Sequence, residues 1–138
     1  MLRPKRSLQA TVIGNHPVAD EIHKQCIYLP IEPVRLKSVA DHSHEQNIVI
    51  IMTADHELDY QYCETLLKEY GSDYNFFVGC IGSRKKAHVF TDRLLQNGIN
   101  ESELNQLYMP VGLTEISGKQ NAVIAASIVA QIMARHNW

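Results

Sequence analysis

Two polar segments, each directly after an apolar run, carry the residue types best suited to bind an anionic ligand. The first, residues 53–59 (Thr-Ala-Asp-His-Glu-Leu-Asp), follows the unbroken apolar run at 48–52. The second, residues 79–86 (Gly-Cys-Ile-Gly-Ser-Arg-Lys-Lys), follows a run that begins at residue 76. Open parallel sheets bind ligands beyond the carboxyl ends of their strands. If the two strands are neighbours, we expect the two segments to face each other across one cleft.

The second segment has the composition of an anion-binding loop. Gly79 and Gly82 allow the backbone to approach a ligand closely, and Ser83 suits the N-cap of a following helix. Free amides at that helix start, together with Arg84 and Lys86, favour an anion such as phosphate. The alternative is a capped helix with solvated basic residues in its first turn, an arrangement that the helix dipole disfavours.

The first segment offers an acid and an imidazole. Asp55 and His56 can orient a ligand or act as an acid/base pair, although capping of the next helix also explains Asp55. Lys119, in a Gly-Lys dipeptide, is assigned to the same ligand. No catalytic residue is assigned, and we expect a binding protein more than an enzyme.

Other reactive side chains have simpler interpretations. Asp41, His42 and His44 resemble a metal-ligand cluster, but they lie in a polar stretch that favours a solvated loop, so no metal is expected. Cys80 has two interpretations, a thiol with a pKa lowered by nearby cations or a small residue packed beneath a turn. We favour the second.

Composition limits the class of protein. The chain has 138 residues, of which 45% are hydrophobic and 20% charged, and its formal charge is −2. These values predict one soluble globular domain over residues 1–138, with residues 1–9 flexible, and neither a nucleic-acid partner nor a membrane partner. The chain has 3 cysteines, an odd number, and no Cys-x-x-Cys pair. This pattern indicates reduced thiols and a cytoplasmic protein.

The elements that must position these residues alternate along the chain. Four short apolar runs, at 10–13, 26–29, 48–52 and 76–81, alternate with amphipathic helical patterns. Asn100 and Glu103 form a capping box, with Ile99 and Leu104 as a hydrophobic staple. A final apolar helix is predicted over residues 120–135. The pattern predicts an α/β, Rossmann-like three-layer domain with a mostly parallel sheet.

The usual dinucleotide fingerprint is absent. Such domains open with a strand, a Gly-x-Gly-x-x-Gly loop and a helix, whereas residues 12–17 (Val-Ile-Gly-Asn-His-Pro) contain one glycine. An NAD(P) site of the usual kind is therefore not expected.

Three motifs in order resemble the xanthine dehydrogenase accessory family (XdhC/CoxI). Residues 48–59 are similar to its apolar strand followed by Met-Thr and Asp-His-x-Leu-Asp. Residues 79–86 are similar to its Gly-x-Ile-Gly-Ser-Arg-x-Lys segment, and residues 110–130 to its closing pattern. The resemblance covers about two thirds of the chain.

The resemblance implies a Rossmann-like domain that assists molybdenum hydroxylases. Members of the family bind the molybdenum cofactor (molybdopterin) and help its sulfuration and insertion. They usually carry a further N-terminal domain implicated in cofactor binding, which has no counterpart in this sequence. The expected partners are therefore a molybdenum hydroxylase or a separate cofactor-binding domain.

The spacing of the motifs predicts a truncated sheet. If residues 11–17 correspond to the family's second strand, the distance to Ile48 fits, but the first strand and its phosphate loop are missing. The alternative register makes Gly14 a remnant of the phosphate loop. Because a missing central strand leaves unpaired edges, the first register predicts a homodimer or larger assembly.

Three functions follow from these observations. The first is an accessory module for a molybdenum enzyme, which we favour. The second is an NAD(P)- or nucleotide-binding oxidoreductase-like domain, supported by fold class alone. The third is a protein-interaction module without its own ligand, with the apolar final helix as its interface.

Overall fold

The computed structural model describes residues 8–135 as a five-stranded parallel sheet with helices on both faces. The strands are β1 (Leu8–Ile13), β2 (Ile31–Leu36), β3 (Ile48–Ile51), β4 (Phe77–Cys80) and β5 (Leu107–Tyr108). The helices are α1 (Pro17–Gln25), α2 (His56–Tyr70), α3 (Arg84–Gln96), α4 (Glu101–Leu104) and α5 (Asn121–Arg135). Short 3-10 turns occupy Cys26–Tyr28 and Val39–Asp41. The predicted Rossmann-like three-layer α/β class is confirmed.

The strand order is β2-β1-β3-β4-β5. β1 pairs with β2 on one side and with β3 on the other, so the chain reverses its direction of winding between β1 and β3. β3 and β4 are neighbours, so the polar segments that follow them, residues 53–59 and 79–86, lie at the same edge of the sheet. In sheets with this order, ligands bind at the point of reversal.

β1, followed by Gly14 and α1, lies inside the sheet between β2 and β3. Its residues 10–13 are buried, which explains the unbroken apolar run. β1 pairs directly with β3, so the sheet is continuous without a further strand. Both registers give this strand order, and the absence of the family's first βα unit stays a prediction. The expectation of a dimer loses its structural reason, because no strand has to be supplied from elsewhere.

The sequence missed β2 because its composition is atypical for a strand. Pro33 lies in the middle of it, and Glu32 and Arg35 are exposed. β2 is an edge strand, where a proline and charged side chains are tolerated. The apolar run at 26–29, by contrast, contains the 3-10 turn before β2 and no strand.

The two faces of the sheet form separate apolar cores. α1 and α5 cover one face, on which Val12, Ile50 and Phe77 are buried. α2 and α3 cover the other, on which Val49 and Val78 are buried. α5 buries Ala125, Ile128 and Ile132 against α1 and the sheet, while other apolar side chains of the helix stay partly exposed. Its use as a protein interface stays a prediction.

Local signals outside the sheet are mostly confirmed. Asn100 and Glu103 form the predicted capping box, although α4 has only 4 residues. α5 spans residues 121–135, close to the predicted range. Of residues 1–9, expected to be flexible, residues 8 and 9 begin β1 and the others lie outside the described part of the chain. Over residues 8–135, no helix combines the length and apolar character needed to cross a bilayer.

Gly14 makes the junction between the two central strands. Its φ is +126°, and a Cβ built there would lie 2.1 Å from the Met52 carbonyl oxygen. The His16 amide donates to that same oxygen, at 3.2 Å. Only glycine allows the end of β1 to approach the backbone after β3 this closely.

Gly14→Ala should therefore lower the free energy of unfolding by about 2–4 kcal/mol, through both backbone strain and overlap with the neighbouring chain. Gly98→Ala is the matched control, because Gly98 also has a positive φ, +95°, but a Cβ there meets nothing within 4 Å. We expect about 1–2 kcal/mol for the control. Urea denaturation measures both values. Equal losses would show that the close approach to Met52 is unimportant.

Candidate functional site

The carboxyl ends of β1, β3 and β4 open into one cleft of about 440 Å³ at the point where the strand order reverses. We call it the switch cleft. The loop after β1, the start of α2, the loop after β4 and the start of α5 contribute its walls. Its polar lining residues are His16, His56, Asp59, Ser83 and Lys86.

A buried ion pair forms the floor of the switch cleft. Lys86 Nζ lies 2.8 Å from Asp59 Oδ2, and the two side chains are 9% and 1% exposed. The same ammonium donates to the Ile81 carbonyl oxygen, at 3.0 Å, and lies 5.2 Å from the centre of the Phe90 ring. The pair therefore connects α2 to α3 beneath the cleft, and it cancels the charge of the buried acid.

The second oxygen of Asp59 fixes the loop after β3. The amide and the hydroxyl of Thr53 both donate to Asp59 Oδ1, at 2.8 and 2.6 Å. Ala54, next along the chain, has a φ of +67°. A non-glycine residue in this region costs about 1–2 kcal/mol, so the surrounding hydrogen bonds must offset that strain.

Glycines after and within β4 accommodate side chains of the protein itself. A Cβ at Gly82 would lie 2.7 Å from Lys86 Cδ, so this residue makes room for the lysine stem to reach Asp59. A Cβ at Gly79 would lie 2.6 Å from Val111 Cγ2. Gly79 is buried within β4, below the switch cleft, whereas Gly82 lines it.

The N-terminus of α3 presents free backbone donors. Ser83 caps the helix by accepting a hydrogen bond from the Lys86 amide, at 3.1 Å. The amides of Ser83, Arg84 and Lys85 make no hydrogen bond to the described part of the chain. Such amides at a helix start are available to an anion.

The N-terminus of α1 differs, because its donors are used within the protein. Pro17 has no N–H, and the Val18 amide donates to Nδ1 of His16, at 3.1 Å. The Ala19 amide donates to the His16 carbonyl oxygen, at 2.9 Å. This is the helix start that holds the pyrophosphate in dinucleotide-binding domains. Since Nδ1 of His16 is an acceptor, its ring proton lies on Nε2.

The remaining predicted residues lie around the cleft in different ways. Asp55 caps α2 through the Leu58 amide, at 3.0 Å, and does not line the switch cleft. His56 lines it and is exposed, and its imidazole makes no hydrogen bond to the described residues. Arg84 lines an adjoining cleft of about 360 Å³ beside residues 110–118. Lys119 is exposed and lines neither cleft.

Sequence reasoning missed two residues of the switch cleft, His16 and Asp59. His16 lies in the loop after β1, whose single glycine does not mark it as a binding loop. Asp59 resembles an ordinary acidic residue in the first turn of a helix, and its spacing of four residues from Cys63 is the signal that places it on the inner face.

The cysteine and histidine candidates make contacts within the protein. Cys80 is fully buried in β4, and hydrogen bonding to it, together with burial, raises the pKa of the Cys63 thiol well above its ordinary value. Nε2 of His42 donates to the Gln46 carbonyl oxygen, at 2.7 Å, and the imidazole contacts the Tyr70 ring edge-on. Within residues 8–135, no group of three or more potential ligands is arranged to hold a metal ion.

Comparison with known families decides the membership of the chain. The sequence profile of the XdhC Rossmann domain matches residues 6–132. The chain belongs to the XdhC Rossmann-domain family. The switch cleft is therefore a feature of an XdhC domain, built from residues 53–59 and 79–86, both within the matched range.

A solved structure shares the fold of this XdhC domain. It is a protein from Bacillus halodurans described as a xanthine dehydrogenase, and it aligns with a TM-score of 0.63 and 24% identity. The alignment covers 92% of this chain and 43% of that protein. The chain thus spans less than half the length of this neighbour. No curated protein matches the sequence.

The buried ion pair yields a test of what maintains the cleft. Lys86→Met should lower the free energy of unfolding by about 3–5 kcal/mol, because it leaves the Asp59 carboxylate buried without its cation. The double variant Asp59→Asn with Lys86→Met should lose less than Lys86→Met alone. Denaturant titration of the four proteins in this mutant cycle measures the coupling. Additive losses would mean that the two charges do not interact.

Proposed function

We propose that this XdhC domain is an accessory module for a molybdenum hydroxylase of the xanthine dehydrogenase type. Its switch cleft binds an anionic ligand, the molybdenum cofactor, through groups on α2, α3 and the loop after β1. Family membership supports the accessory role. One observation carries the binding proposal. At the strand reversal lies a cleft in which Lys86 neutralises Asp59 and the start of α3 presents free backbone amides.

The electrostatics of the cleft favour an anion. Asp59 is the one carboxylate among its lining residues, and Lys86 already compensates it. What remains are neutral or positive groups: the hydroxyl of Ser83, the imidazoles of His16 and His56, and the positive end of the α3 dipole. A phosphate there gains hydrogen bonds without meeting a like charge.

The molybdenum cofactor fits this donor set. Its pterin part carries a phosphate and a dithiolene, both anionic, and 440 Å³ is within the size range of small-molecule sites. Ser83, His56 and Nε2 of His16 would hold the anionic groups, and Arg84, which lines the adjoining cleft, adds a positive charge next to Ser83. When bound, the cofactor supplies the molybdenum-ligating sulfur chemistry, and the protein side chains bind and orient it for a partner enzyme.

A second candidate, the NAD(P)-binding oxidoreductase-like domain, has weaker support. Pro17, the Val18 amide and the His16 side chain leave α1 without the free donors that a pyrophosphate uses in that fold. The third candidate, a module that acts through protein contacts alone, predicts no small-molecule binding at all. A molybdenum hydroxylase and a separate cofactor-binding domain are the proposed partners.

A ligand panel separates the three functions. Thermal unfolding is followed with the molybdenum cofactor, NADP, inorganic phosphate and buffer alone, and a ligand at a hundred times its Kd adds about 2.7 kcal/mol. We expect stabilisation by the cofactor and, at higher concentration, by phosphate. Stabilisation by NADP alone would support the oxidoreductase-like candidate. If no ligand in the panel changes the thermal unfolding, the candidate that acts through protein contacts alone is supported.

Two charge variants should change phosphate affinity in opposite directions. Arg84→Ala should weaken it by about tenfold, because a positive charge in the first turn of α3, next to Ser83, is lost. Asp59→Asn should strengthen it, because Lys86 then reaches the cleft uncompensated. The control is Lys68→Ala, at the far end of α2, where the lysine pairs with Glu64 at 3.1 Å. Calorimetric titration measures all three, and identical affinities would remove the switch cleft from consideration.

A further inference from the structure

A groove of about 340 Å³ between α2 and α3 continues the switch cleft toward the surface. The two share three lining residues, His56, Ser83 and Lys86, so a ligand in one can extend into the other. The rest of the groove is lined by Glu57, Lys85, Val89, Phe90 and Arg93. We call it the α2/α3 groove.

The guanidinium of Arg93 is fixed in this groove by two partners. It donates two parallel hydrogen bonds to Glu57, Nη1 to Oε2 at 2.6 Å and Nη2 to Oε1 at 2.7 Å. Its Cζ lies 3.8 Å from the centre of the Tyr60 ring. Tyr60 is 2% exposed and does not line the groove, whereas the Arg93 side chain is 42% exposed and does. The guanidinium therefore covers the tyrosine ring and presents a surface to the groove.

Apolar side chains lie beside this guanidinium. Val89, one turn before Arg93, is 56% exposed, so its methyl groups are accessible to a ligand in the groove. Phe90 forms the floor and packs edge-on against Tyr60, with ring centres 5.4 Å apart. Lys85, one turn before Val89, is exposed at the end nearest the switch cleft.

We propose that the α2/α3 groove binds the planar heteroaromatic ring of a ligand whose phosphate lies in the switch cleft, an inference that rests on the proposed function. A flat ring packs on Val89 and stacks on the Arg93 guanidinium, which is already planar, desolvated on its Tyr60 side and held by Glu57. Stacking on such a surface has little entropic cost, because the arginine is ordered before the ligand arrives. A nucleobase and a pterin share this chemistry.

The first experiment measures what the ring adds to binding. Affinities are compared by calorimetric titration for inorganic phosphate, ribose 5-phosphate, the mononucleotides AMP, GMP and CMP, and molybdopterin. We expect the ring-bearing phosphates to bind about tenfold or more tightly than ribose 5-phosphate, in line with base stacking in other proteins. A preference for one mononucleotide or for molybdopterin identifies the source of the ring.

The second experiment assigns that gain to Arg93. Arg93→Lys keeps the charge but loses the planar group and its paired hydrogen bonds, and should remove the ring-dependent gain while leaving ribose 5-phosphate unchanged. Val89→Trp fills the groove from an exposed position and should do the same. The matched control is Arg135→Lys, because Arg135 also lies over aromatic rings, 4.9 Å from that of Phe77, beside the amino ends of the strands.

The outcomes separate this inference from the proposed function. Equal affinity for ring-bearing and ring-free phosphates overturns the inference. A ring-dependent gain in affinity that persists in both groove variants also overturns it. In either case the proposed anion site is unaffected. If none of the ligands binds, neither the ring-free phosphates nor the ring-bearing ones at the same concentrations, both the inference and the proposed anion site are overturned.

Discussion

The cleft of this domain depends on one buried ion pair. Asp59 lies on α2 and Lys86 on α3, so the pair joins the N-terminal ends of these two helices beneath the cleft. The carboxylate binds the lysine with one oxygen and the Thr53 amide and hydroxyl with the other. One acid therefore positions the loop after β3, the loop after β4 and the first turn of α3. The polar groups that face the ligand are held by neighbours that do not themselves need to contact it.

Much of the fold follows from local patterns in the sequence. The β-branched run at 48–51 can be buried on both faces only within a parallel sheet, and Asn100 with Glu103 fixes a helix start without tertiary help. β2 could not be predicted in this way, because Pro33 and its charged neighbours are tolerated only by an edge strand. Whether a strand lies at an edge is a property of the assembled sheet.

The site was predictable in its residue types and less so in their partners. Ser83 caps its helix and Gly82 lines the cleft, as their positions after a strand suggest. The role of Lys86 required knowledge of a residue 27 positions away, the buried carboxylate of Asp59. Similarly, the glycines at 79 and 82 accommodate Val111 and the Lys86 stem, contacts that no spacing rule in the sequence indicates. Contacts between residues far apart in the chain, whether ion pairs or close packing against a glycine, could not be predicted from the sequence.

Pro33 has a consequence for how folded copies of this chain meet one another. An exposed parallel edge displays a row of backbone donors and acceptors that can template the addition of a strand from another molecule. In β2 that row lacks the Pro33 donor, and Glu32 and Arg35 place charges beside the gap. At the opposite edge, β5 has only 2 residues. Both margins of the sheet thus resist intermolecular pairing, so crowded copies of the chain have little opportunity to coalesce into extended β-structure.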